Sequence, residues 1–565
     1  MNIGEKSDIV IVGGVAAGPK TAATLVRRLP KARITIFEKS NDISFATCGL
    51  PYYASGDVGS FEALTLTSYG VPRDRKFFRN SRGFEVITGA EVAAIDRKKK
   101  LVRVYLSETG ESIEHGYDKL VLATGAKPQK PPFPIADSSR IRHFTRPNDA
   151  ICFRESAQKG EIGKVLIVGG GFIGCELAEA VGGMWGIETI LAEKELQLLP
   201  YVLDEEMSDL VTRELTGKGV KIMLGVCIDG IGLDGAGKPV VKIDKSETIA
   251  VDYVFLCLGV RPNVALAEEC GLVIGETGGI AVDGHMQTSD QDIFAGGDCV
   301  ESISRVTGKK LYMPMGSIAN RHGRIIAENI AGADAEFPGV TGSFLVKVYD
   351  VNVGAVGISQ REAEKAGINA GAVWASFVDK PDYYPESKSF TLKMVYDSDS
   401  GRLLGLQAVG AGDVCRRIDV FSSFLQKEAS IRELIDFEHG YAPPYSEALD
   451  PLYHVASIAL ARQWGIDMVS PGLDFEDGEI VWLDVREKAE AAEAPWSPFD
   501  GSQIRRYINI PLNELKENLD KLGKADRIMI ICRRGARSYQ AAVMLKHAGY
   551  NNVHIVGGGT QAAAL

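Results

Sequence analysis

The chain has 565 residues, of which 45% are hydrophobic and 24% charged, a composition typical of a globular protein of about four domains. Its formal net charge of −11 argues against a nucleic-acid partner, because phosphate binding needs a basic surface. We see no secretory signal and no apolar run of about 18 residues, so we expect a cytoplasmic protein without a membrane span.

Two similar strand–helix–strand patterns occur in the first two hundred residues. The first predicts a strand over Asp8–Gly14, a helix over Ala16–Leu29 and a strand over Ile34–Glu38. The second predicts a strand over Lys164–Gly170, a helix from Phe172 and a strand over Thr189–Glu193. Two such units in one chain indicate an α/β protein with two Rossmann-like nucleotide-binding domains.

The second half of the chain predicts two further domains. Residues 341–460 alternate helical stretches with β-like runs, which indicates an α+β domain; the runs are Ser343–Tyr349, Phe390–Tyr396 and Leu403–Val409. Pro471–Gly478 is acidic and rich in turn formers, as linkers are. A small α/β domain follows, with strands predicted at Glu479–Arg486, Ile528–Cys532 and Val553–Val556.

A glycine motif opens the second nucleotide-binding unit. Gly169, Gly171 and Gly174 fit G-x-G-x-x-G, in which the glycines permit a tight turn, close approach of a pyrophosphate and helix–strand packing. Glu193 ends the next strand, where a carboxylate can bind ribose hydroxyls and repel a 2′-phosphate. The motif therefore favours NADH over NADPH, although Lys194 moderates this preference. The alternative is a glycine-rich turn that binds nothing.

The first unit has a weaker version of the same motif. Gly13 and Gly18 are in place, but Val15 stands where the middle glycine belongs. Glu38 follows Gly18 by 20 residues at the end of a strand and supplies the ribose contact. By itself this segment is also compatible with a plain strand–helix turn.

Three more segments strengthen the nucleotide-binding interpretation. They are Leu122-Ala123-Thr124-Gly125, Leu256-Cys257-Leu258-Gly259-Val260-Arg261-Pro262-Asn263 and Ile293-Phe294-Ala295-Gly296-Gly297-Asp298. With these five ordered motifs, about residues 8–460 resemble the pyridine nucleotide–disulfide oxidoreductase family of flavoproteins. The resemblance implies FAD at the first site and NADH at the second, with NADPH possible. It also implies that the Thr124, Gly125 and Gly259 segments link the two domains and that Asp298 contacts the FAD ribityl chain.

The resemblance, together with the C-terminal motifs described below, implies a division of the chain into domains. The expected parts are an FAD-binding domain (1–155 and 285–338), an NAD-binding domain (156–284), an α+β dimerisation domain (339–465), a linker (466–478) and a C-terminal rhodanese-like α/β domain (479–565).

Cys48 is the candidate redox residue. Nine cysteines are scattered through the chain without a C-x-x-C pair, so neither a metal site nor a thioredoxin-type dithiol is indicated. The disulfide-cycling branch of the family has C-x-x-x-x-C, but Tyr53 replaces the second cysteine here. Cys48 must therefore work alone, through a mixed disulfide, a persulfide or a sulfenate. We expect nearby helix dipoles to favour its thiolate; the alternative is a buried, inert thiol.

The string Ser44–Tyr53 resembles the coenzyme A disulfide reductases among the single-cysteine members, as do the segments Tyr383-Tyr384-Pro385 and Tyr441–Ser446. In that group a tyrosine of each segment reaches the active cysteine of the other subunit, which implies a homodimer and assigns this role to Tyr383 and Tyr441. Simple interface packing is the alternative for both tyrosines.

The same resemblance implies that CoA binds beside the first helix. The candidate CoA-binding residues are Arg27, Ser44, Phe45 and Lys76, of which Arg27 and Lys76 would face phosphates. Either basic residue could equally be a solvated surface charge.

Cys532 is a second candidate nucleophile. It follows a strand and precedes a helix, so the loop can direct backbone N–H groups at its sulfur. Arg533, Arg534 and Arg537 are expected to add positive charge. The loop, with Leu483–Glu487 and Gly557-Gly558-Gly559, resembles the rhodanese family, which implies sulfurtransferase chemistry at Cys532 with Arg537 in the active loop.

The sequence thus predicts a flavoenzyme that uses NADH to reduce a CoA persulfide, polysulfide or CoA disulfide at Cys48, with a rhodanese domain that handles sulfane sulfur. The substrate among these stays open, as does direct sulfur transfer from Cys532 to Cys48. Two alternatives are an NADH oxidase or peroxidase that cycles a sulfenate, and a sulfur-sensing or sulfur-carrier flavoprotein without rapid turnover.

Overall fold

The computed structural model describes residues 7–462, 465–469, 480–496, 506–523 and 527–562. The chain divides into two compact units, Met1–Lys194 with Gly219–Val340, and Glu195–Lys218 with Thr341–Leu565. The predicted linker Pro471–Gly478 lies outside the described residues.

The strands within these ranges, in chain order, are β1 (Asp8–Val12), β2 (Arg33–Glu38), β3 (Glu85–Thr88), β4 (Ala90–Asp96), β5 (Leu101–Leu106), β6 (Glu111–Gly116), β7 (Lys119–Leu122), β8 (Ala126–Pro128), β9 (Ile141–His143), β10 (Lys164–Val168), β11 (Glu188–Glu193), β12 (Lys221–Leu224), β13 (Ile228–Leu233), β14 (Pro239–Ile243), β15 (Glu247–Ala250), β16 (Tyr253–Leu256), β17 (Val260–Pro262), β18 (Ile293–Ala295), β19 (Ser302–Ile303), β20 (Lys310–Leu311), β21 (Phe344–Val348), β22 (Val351–Gly357), β23 (Ala370–Val378), β24 (Ser389–Asp397), β25 (Leu403–Gly410), β26 (Asp467–Val469), β27 (Ile480–Asp484), β28 (Tyr507–Asn509), β29 (Arg527–Ile531) and β30 (Val553–Val556).

The α-helices are α1 (Ala17–Arg28), α2 (Leu50–Ser55), α3 (Arg75–Phe77), α4 (Pro147–Gln158), α5 (Phe172–Ala178), α6 (Glu205–Gly217), α7 (Ala265–Glu269), α8 (Gly316–Ile330), α9 (Gln360–Lys365), α10 (Val414–Leu425), α11 (Ile431–Ile435), α12 (Pro451–Ala461), α13 (Lys488–Glu493), α14 (Ala536–His547) and α15 (Gly559–Ala562). A 3₁₀ turn over Thr47–Gly49 precedes α2, and a π-helical segment over Glu179–Met184 continues α5.

The first unit contains two parallel five-stranded sheets, with strand orders β18-β7-β1-β2-β3 and β12-β11-β10-β16-β9. Their central strands are apolar and buried, as parallel strands covered on both faces must be. Two three-stranded antiparallel sheets, β4-β5-β6 and β13-β14-β15, accompany them. The predicted pair of Rossmann-like domains is thereby confirmed.

Strand and domain ends differ in detail from the prediction. β1 and β10 end at Val12 and Val168, before the predicted Gly14 and Gly170, because Gly13 and Gly169 both turn the chain at φ +111°. Strand β9 pairs with β16 of the second sheet, whereas the prediction assigned residues up to 155 to the first domain. The second sheet therefore recruits chain from before the expected boundary.

The second unit contains an antiparallel sheet of order β21-β22-β25-β24-β23 and a parallel sheet of order β26-β30-β29-β27-β28. Helices α10 and α12 pack on the antiparallel sheet, and a buried apolar core lies between the parallel sheet and α14. β26 pairs with β30, so the C-terminal sheet begins inside the stretch 466–478 that was predicted as linker. β23 is an edge strand of the antiparallel sheet.

Candidate active site

The first glycine turn has no room for side chains at two positions. A Cβ on Gly13 would lie 2.1 Å from the carbonyl oxygen of Ala123, and a Cβ on Gly18 would lie 2.0 Å from that of Gly13. The Glu38 carboxylate accepts a hydrogen bond of 2.7 Å from the backbone N–H of Gly14. The turn thus holds the start of α1 against β1 and places a buried carboxylate beside it, as a nucleotide site requires.

The glycine turn of the second nucleotide-binding unit has the same close contacts and the same carboxylate hydrogen bond. A Cβ on Gly169 would lie 2.3 Å from the carbonyl oxygen of Cys257, and one on Gly174 would lie 1.9 Å from that of Gly169. Glu193 accepts a hydrogen bond of 2.6 Å from the N–H of Gly170. A Cβ on Gly171 would have nothing within 4 Å, so the middle position is open to a phosphate group. Both turns therefore fit dinucleotides.

The Thr124–Gly125 and Gly259–Asn263 segments are joined, as the resemblance implied. The Thr124 hydroxyl donates to the carbonyl oxygen of Asn263 at 2.7 Å, and the N–H of Asn263 donates to the carbonyl oxygen of Gly125 at 2.9 Å. The adjoining strands β8 and β17 pair in antiparallel fashion. The two segments therefore form the link between the two nucleotide-binding sheets.

Asp298 has a carboxyl group that suits a hydroxyl-rich ligand. Burial raises its pKa to about 6. None of the hydrogen bonds or ion pairs found within the described ranges engages this side chain. The turn before it is positioned by His322, whose ring Nδ1 accepts from the N–H of Gly297 at 3.2 Å; burial lowers the pKa of His322 to about 3 and keeps the ring neutral. The arrangement fits the ribityl contact implied for Asp298.

Cys48 lies in the 3₁₀ turn directly before α2, and its residue is exposed. The surrounding protein nevertheless disfavours its thiolate: desolvation, followed by the carboxyls of Glu176 and Asp298, raises the pKa of Cys48. The protein's own groups thus shift this pKa in the direction opposite to the one expected from helix dipoles, and the thiolate beside a bound flavin stays a prediction. All nine cysteines fall within the described ranges, and each is a free thiol.

Glu176 and Tyr52 also lie near Cys48, and neither was predicted from the sequence. Desolvation and the carboxyl of Glu179 raise the pKa of Glu176 to about 7, while a hydrogen bond from Tyr52 opposes the rise. Burial, followed by the carboxyls of Glu176 and Glu179, raises the pKa of Tyr52 to about 12. A glutamate two residues after the last glycine of the motif was the available signal. This carboxyl can hold or release a proton near neutral pH.

The proposed CoA residues are only partly brought together. Ser44 adopts a left-handed conformation (φ 49°), and its N–H donates to the carbonyl oxygen of Gly14 at 2.9 Å. Phe45 packs against Phe61 with ring centroids 6.3 Å apart. Arg27 and Lys76 are exposed at the end of α1 and in α3, and no hydrogen bond within the described ranges joins either to Ser44 or Phe45.

Tyr383 and Tyr441 meet although 58 positions separate them. Desolvation, followed by the neighbouring phenol of Tyr441, raises the pKa of Tyr383, and the two residues are 75% and 52% exposed. Two exposed, neighbouring phenols therefore lie on the surface of the second unit.

Cys532 lies at the end of β29 and is 1% exposed. The N–H of Gly535, a residue with φ +116°, donates to its sulfur at 3.0 Å. Two of the three loop arginines are engaged by carboxylates: Arg537 pairs with Glu490 at 2.8 Å, and Arg534 pairs with Asp382 at 2.7 Å. Arg537 also interacts electrostatically with Cys532, and the backbone N–H of Gly535 donates the hydrogen bond to the sulfur.

No helix in the described part of the chain is long and apolar enough to cross a bilayer. The same residues contain no group of three or more His, Cys, Asp and Glu side chains that could hold a metal ion.

Comparison with known proteins identifies the class. The profile of the pyridine nucleotide-disulphide oxidoreductase family matches residues 7–313, that of the family's dimerisation domain matches residues 344–453, and that of the rhodanese-like domain matches residues 473–564. The chain therefore belongs to the pyridine nucleotide-disulphide oxidoreductases, an FAD- and NAD(P)H-dependent family, and carries a rhodanese-like domain at its C-terminal end.

Individual proteins of known name are similar to this chain over most of their length. A "NAD(P)H sulfur oxidoreductase (CoA-dependent)" of Pyrococcus abyssi is 33% identical over 80% of this chain and 98% of its own length. An "NADH oxidase" of Methanocaldococcus jannaschii is also 33% identical, over 80% and 98% of the two chains. The solved structure of a NAD-dependent persulfide reductase from A. fulgidus is 37% identical, covers 99% of this chain and all of its own, and has a TM-score of 0.93.

Proposed function

We propose that this chain is an NADH-dependent flavoenzyme that reduces CoA persulfides, polysulfides or CoA disulfide at Cys48, and that Cys532 is a sulfurtransferase nucleophile supplying sulfane sulfur. The observation that carries the proposal is that Cys48 is a free thiol without a partner cysteine, next to a carboxyl of near-neutral pKa. The second sulfur of the redox step must then come from the substrate.

The cofactor roles follow the two glycine turns. FAD belongs at the turn of Gly13, Gly18 and Glu38, and NADH at the turn of Gly169 and Glu193. When bound, the two supply the electron pair for reduction. Glu193 ends β11 beside the glycine turn, where a carboxylate can bind ribose hydroxyls and repel a 2′-phosphate, which supports NADH over NADPH.

At Cys48 the thiolate attacks the inner sulfur of a CoA persulfide. The bond between the two substrate sulfurs breaks, hydrosulfide leaves, and a Cys48–CoA mixed disulfide remains. Two electrons and one proton then cleave this disulfide into the Cys48 thiolate and CoA thiol. In sum, NADH, a proton and CoA persulfide become NAD⁺, CoA thiol and hydrogen sulfide. Glu176 can supply or accept the proton because its pKa is close to neutral.

At Cys532 the thiolate attacks the outer sulfur of a sulfane donor, the donor's bond to that sulfur breaks, the rest of the donor leaves as an anion with the electron pair, and Cys532 becomes a persulfide. The Gly535 N–H faces the sulfur and stabilises the negative charge in both states. Attack by the CoA thiolate on the outer sulfur regenerates the Cys532 thiolate and yields CoA persulfide, the substrate proposed for Cys48.

We propose further that the enzyme is a homodimer in which Tyr383 and Tyr441 reach the Cys48 site of the partner subunit. Their exposure on the second unit and the proximity of their phenols support this role. A match to the family's dimerisation domain supports it as well. Arg27 and Lys76 remain the proposed phosphate contacts of CoA.

Two matched substitutions test the proposal, with Cys415→Ser, at an exposed thiol outside both sites, as the control. Cys48→Ser should abolish NADH-dependent sulfide release from CoA persulfide but spare sulfur transfer to thiols. Cys532→Ser should do the reverse. Oxygen consumption equal to NADH loss without any response to persulfides would indicate an oxidase instead, and bound CoA with negligible turnover would indicate a carrier.

A further inference from the structure

The outer edge of β23 is covered by the C-terminal domain. β23 is an edge strand of the antiparallel sheet, so the backbone groups on its outer side have no strand partner. They are bonded instead to the C-terminal region: the N–H of Gly558 donates to the carbonyl oxygen of Trp374 at 3.3 Å, and the N–H of Ser376 donates to that of Arg534 at 3.2 Å. The domain carrying Cys532 therefore docks on a strand edge.

The docking surface is buried and tightly packed. Trp374 is 7% exposed, and a Cβ on Gly557 would lie 2.1 Å from its indole nitrogen. Ser376 is 3% exposed, and its hydroxyl donates to the carbonyl oxygen of Gly558 at 3.0 Å and lies 2.9 Å from the hydroxyl of Thr391. These contacts bury the outer edge of β23 under the C-terminal segment and pair the backbone and hydroxyl of Ser376.

The first three carbonyl groups of the cysteine loop, those of Cys532, Arg533 and Arg534, each accept a hydrogen bond from a backbone N–H outside the loop. The carbonyl oxygen of Cys532 accepts from the N–H of Thr560 at 2.8 Å, and that of Arg533 accepts from the N–H of Gln561 at 3.0 Å. These two donors belong to the C-terminal domain itself. The third carbonyl, that of Arg534, is held by Ser376 of β23.

The peptide unit between Arg534 and Gly535 connects Ser376 to the sulfur. Its carbonyl oxygen accepts from the N–H of Ser376, and its N–H donates to the Cys532 sulfur at 3.0 Å. A trans peptide is planar, with C=O and N–H pointing in opposite directions, so fixing the carbonyl also fixes the direction of the N–H. Hydrogen bonds in such a chain also polarise one another.

We propose that the edge of β23 is part of the sulfurtransferase site and that Ser376, through its backbone N–H, is a positioning residue for Cys532. The proposal rests on the transfer role proposed for Cys532. The ion pair between Arg534 and Asp382 plays a lesser part, because Asp382 is largely exposed and such pairs contribute little. The domain that carries Tyr383 thus also shapes the second active site.

Two substitutions at one position separate the N–H from the hydroxyl. Ser376→Ala removes the hydroxyl and keeps the N–H; Ser376→Pro also removes the N–H, on the outer side of an edge strand where proline is tolerated. In the full-length holoenzyme, Ser376→Pro should lower kcat of Cys532-dependent transfer from thiosulfate to cyanide by about ten- to a hundredfold, whereas Ser376→Ala stays within about threefold of wild type.

Three readouts distinguish positioning from general damage. KM for thiosulfate should change by less than about threefold in Ser376→Pro, because the donor's contacts remain. Alkylation of Cys532 by iodoacetamide, followed by peptide mass spectrometry, should slow in Ser376→Pro and not in Ser376→Ala. NADH-dependent reduction at Cys48 should be unchanged in both, and Ser376→Thr should match wild type throughout.

The outcomes are separable. A wild-type enzyme without Cys532-dependent transfer would overturn the proposed function itself. A wild-type enzyme that transfers sulfur, with Ser376→Pro equal to Ser376→Ala, would overturn only the role of Ser376. If Ser376→Pro does not fold, Trp374→Ala decides, since it removes the support under Gly557 and leaves every loop residue intact: reduced kcat supports the proposal, and wild-type transfer overturns it.

Discussion

Gly535→Ala should damage sulfur transfer for a conformational reason. Gly535 has φ +116°, a region that L residues rarely adopt, while its added Cβ would meet only the Ala375 Cβ at an ordinary 3.7 Å. Neighbouring residues therefore leave room for the added Cβ, and the cost comes from the backbone conformation alone. Holding alanine in this conformation costs about 1–3 kcal/mol.

The loop has two ways to respond to this strain. It can keep its shape and lower the stability of the domain by about 1–3 kcal/mol, or it can relax and lose the hydrogen bond from residue 535 to the Cys532 sulfur. A hydrogen bond to a charged acceptor contributes about 1.5–3 kcal/mol, and about 1.4 kcal/mol corresponds to a factor of ten. We expect transfer to fall by about ten- to a hundredfold.

The assay is steady-state transfer of sulfur to cyanide, with NADH-dependent sulfide release at Cys48 measured in parallel. Gly549→Ala is the matched control, because Gly549 lies in the same domain with φ +94° and an added Cβ would have nothing within 4 Å. Both variants should lose similar stability, but only Gly535→Ala should lose transfer. Wild-type transfer by a folded Gly535→Ala enzyme would refute the role given to this N–H.

Four further substitutions probe other parts of the molecule. Gly13→Ala should yield protein without flavin absorbance, whereas Gly169→Ala should retain flavin and lose its reduction by NADH, because each Cβ would collide with backbone at only one turn. Glu176→Gln should stabilise the holoenzyme increasingly as pH rises from about 5 to 8, by at most about 3 kcal/mol. It should also lower the pKa of Cys48, measured by the pH dependence of alkylation. Lys393→Met should destabilise the protein by about 3–5 kcal/mol in denaturant titrations at neutral pH, because it leaves buried Asp204 without its cation.

The sign for Glu176 follows from its raised pKa. Its contribution to stability is fully present below the ordinary value of 4.5 and is lost as pH rises through about 7, so a neutral glutamine gains over glutamate across that window. Equal stability of the Glu176→Gln and wild-type proteins from pH 5 to 8 would contradict the raised pKa of Glu176.

Flavin loss in Gly169→Ala would contradict the order of the two nucleotide sites. For Lys393→Met, combining it with Asp204→Asn should restore part of the lost stability, because the buried charge is then removed as well.

Features that depend on residues close together in the chain could be predicted from the sequence. The glycine turns and their carboxylates follow from local spacing, and the structure places Glu38 and Glu193 on the N–H groups of Gly14 and Gly170. The ends of β1 and β10 were placed two residues late, because an apolar pattern does not show where a glycine leaves the strand.

Contacts between residues far apart in the chain could not be predicted from the sequence. The Cys48 pKa depends on Glu176 and Asp298, which lie 128 and 250 positions further along the chain. The bond between Ser376 and Arg534 depends on how one domain docks on the edge of another, and a buried serine in a β-rich stretch gives no sign of it. The carboxylate partners of Arg534 and Arg537 were hidden for the same reason.

The central claim is that substrate, rather than a second protein thiol, supplies the sulfur that pairs with Cys48. The direct measurement is peptide mass spectrometry of the holoenzyme after exposure to CoA persulfide without NADH. We expect the Cys48 peptide to carry CoA in a dithiothreitol-sensitive bond that NADH also removes. A Cys48 peptide linked to another cysteine of the chain, or carrying only oxygen, would contradict it.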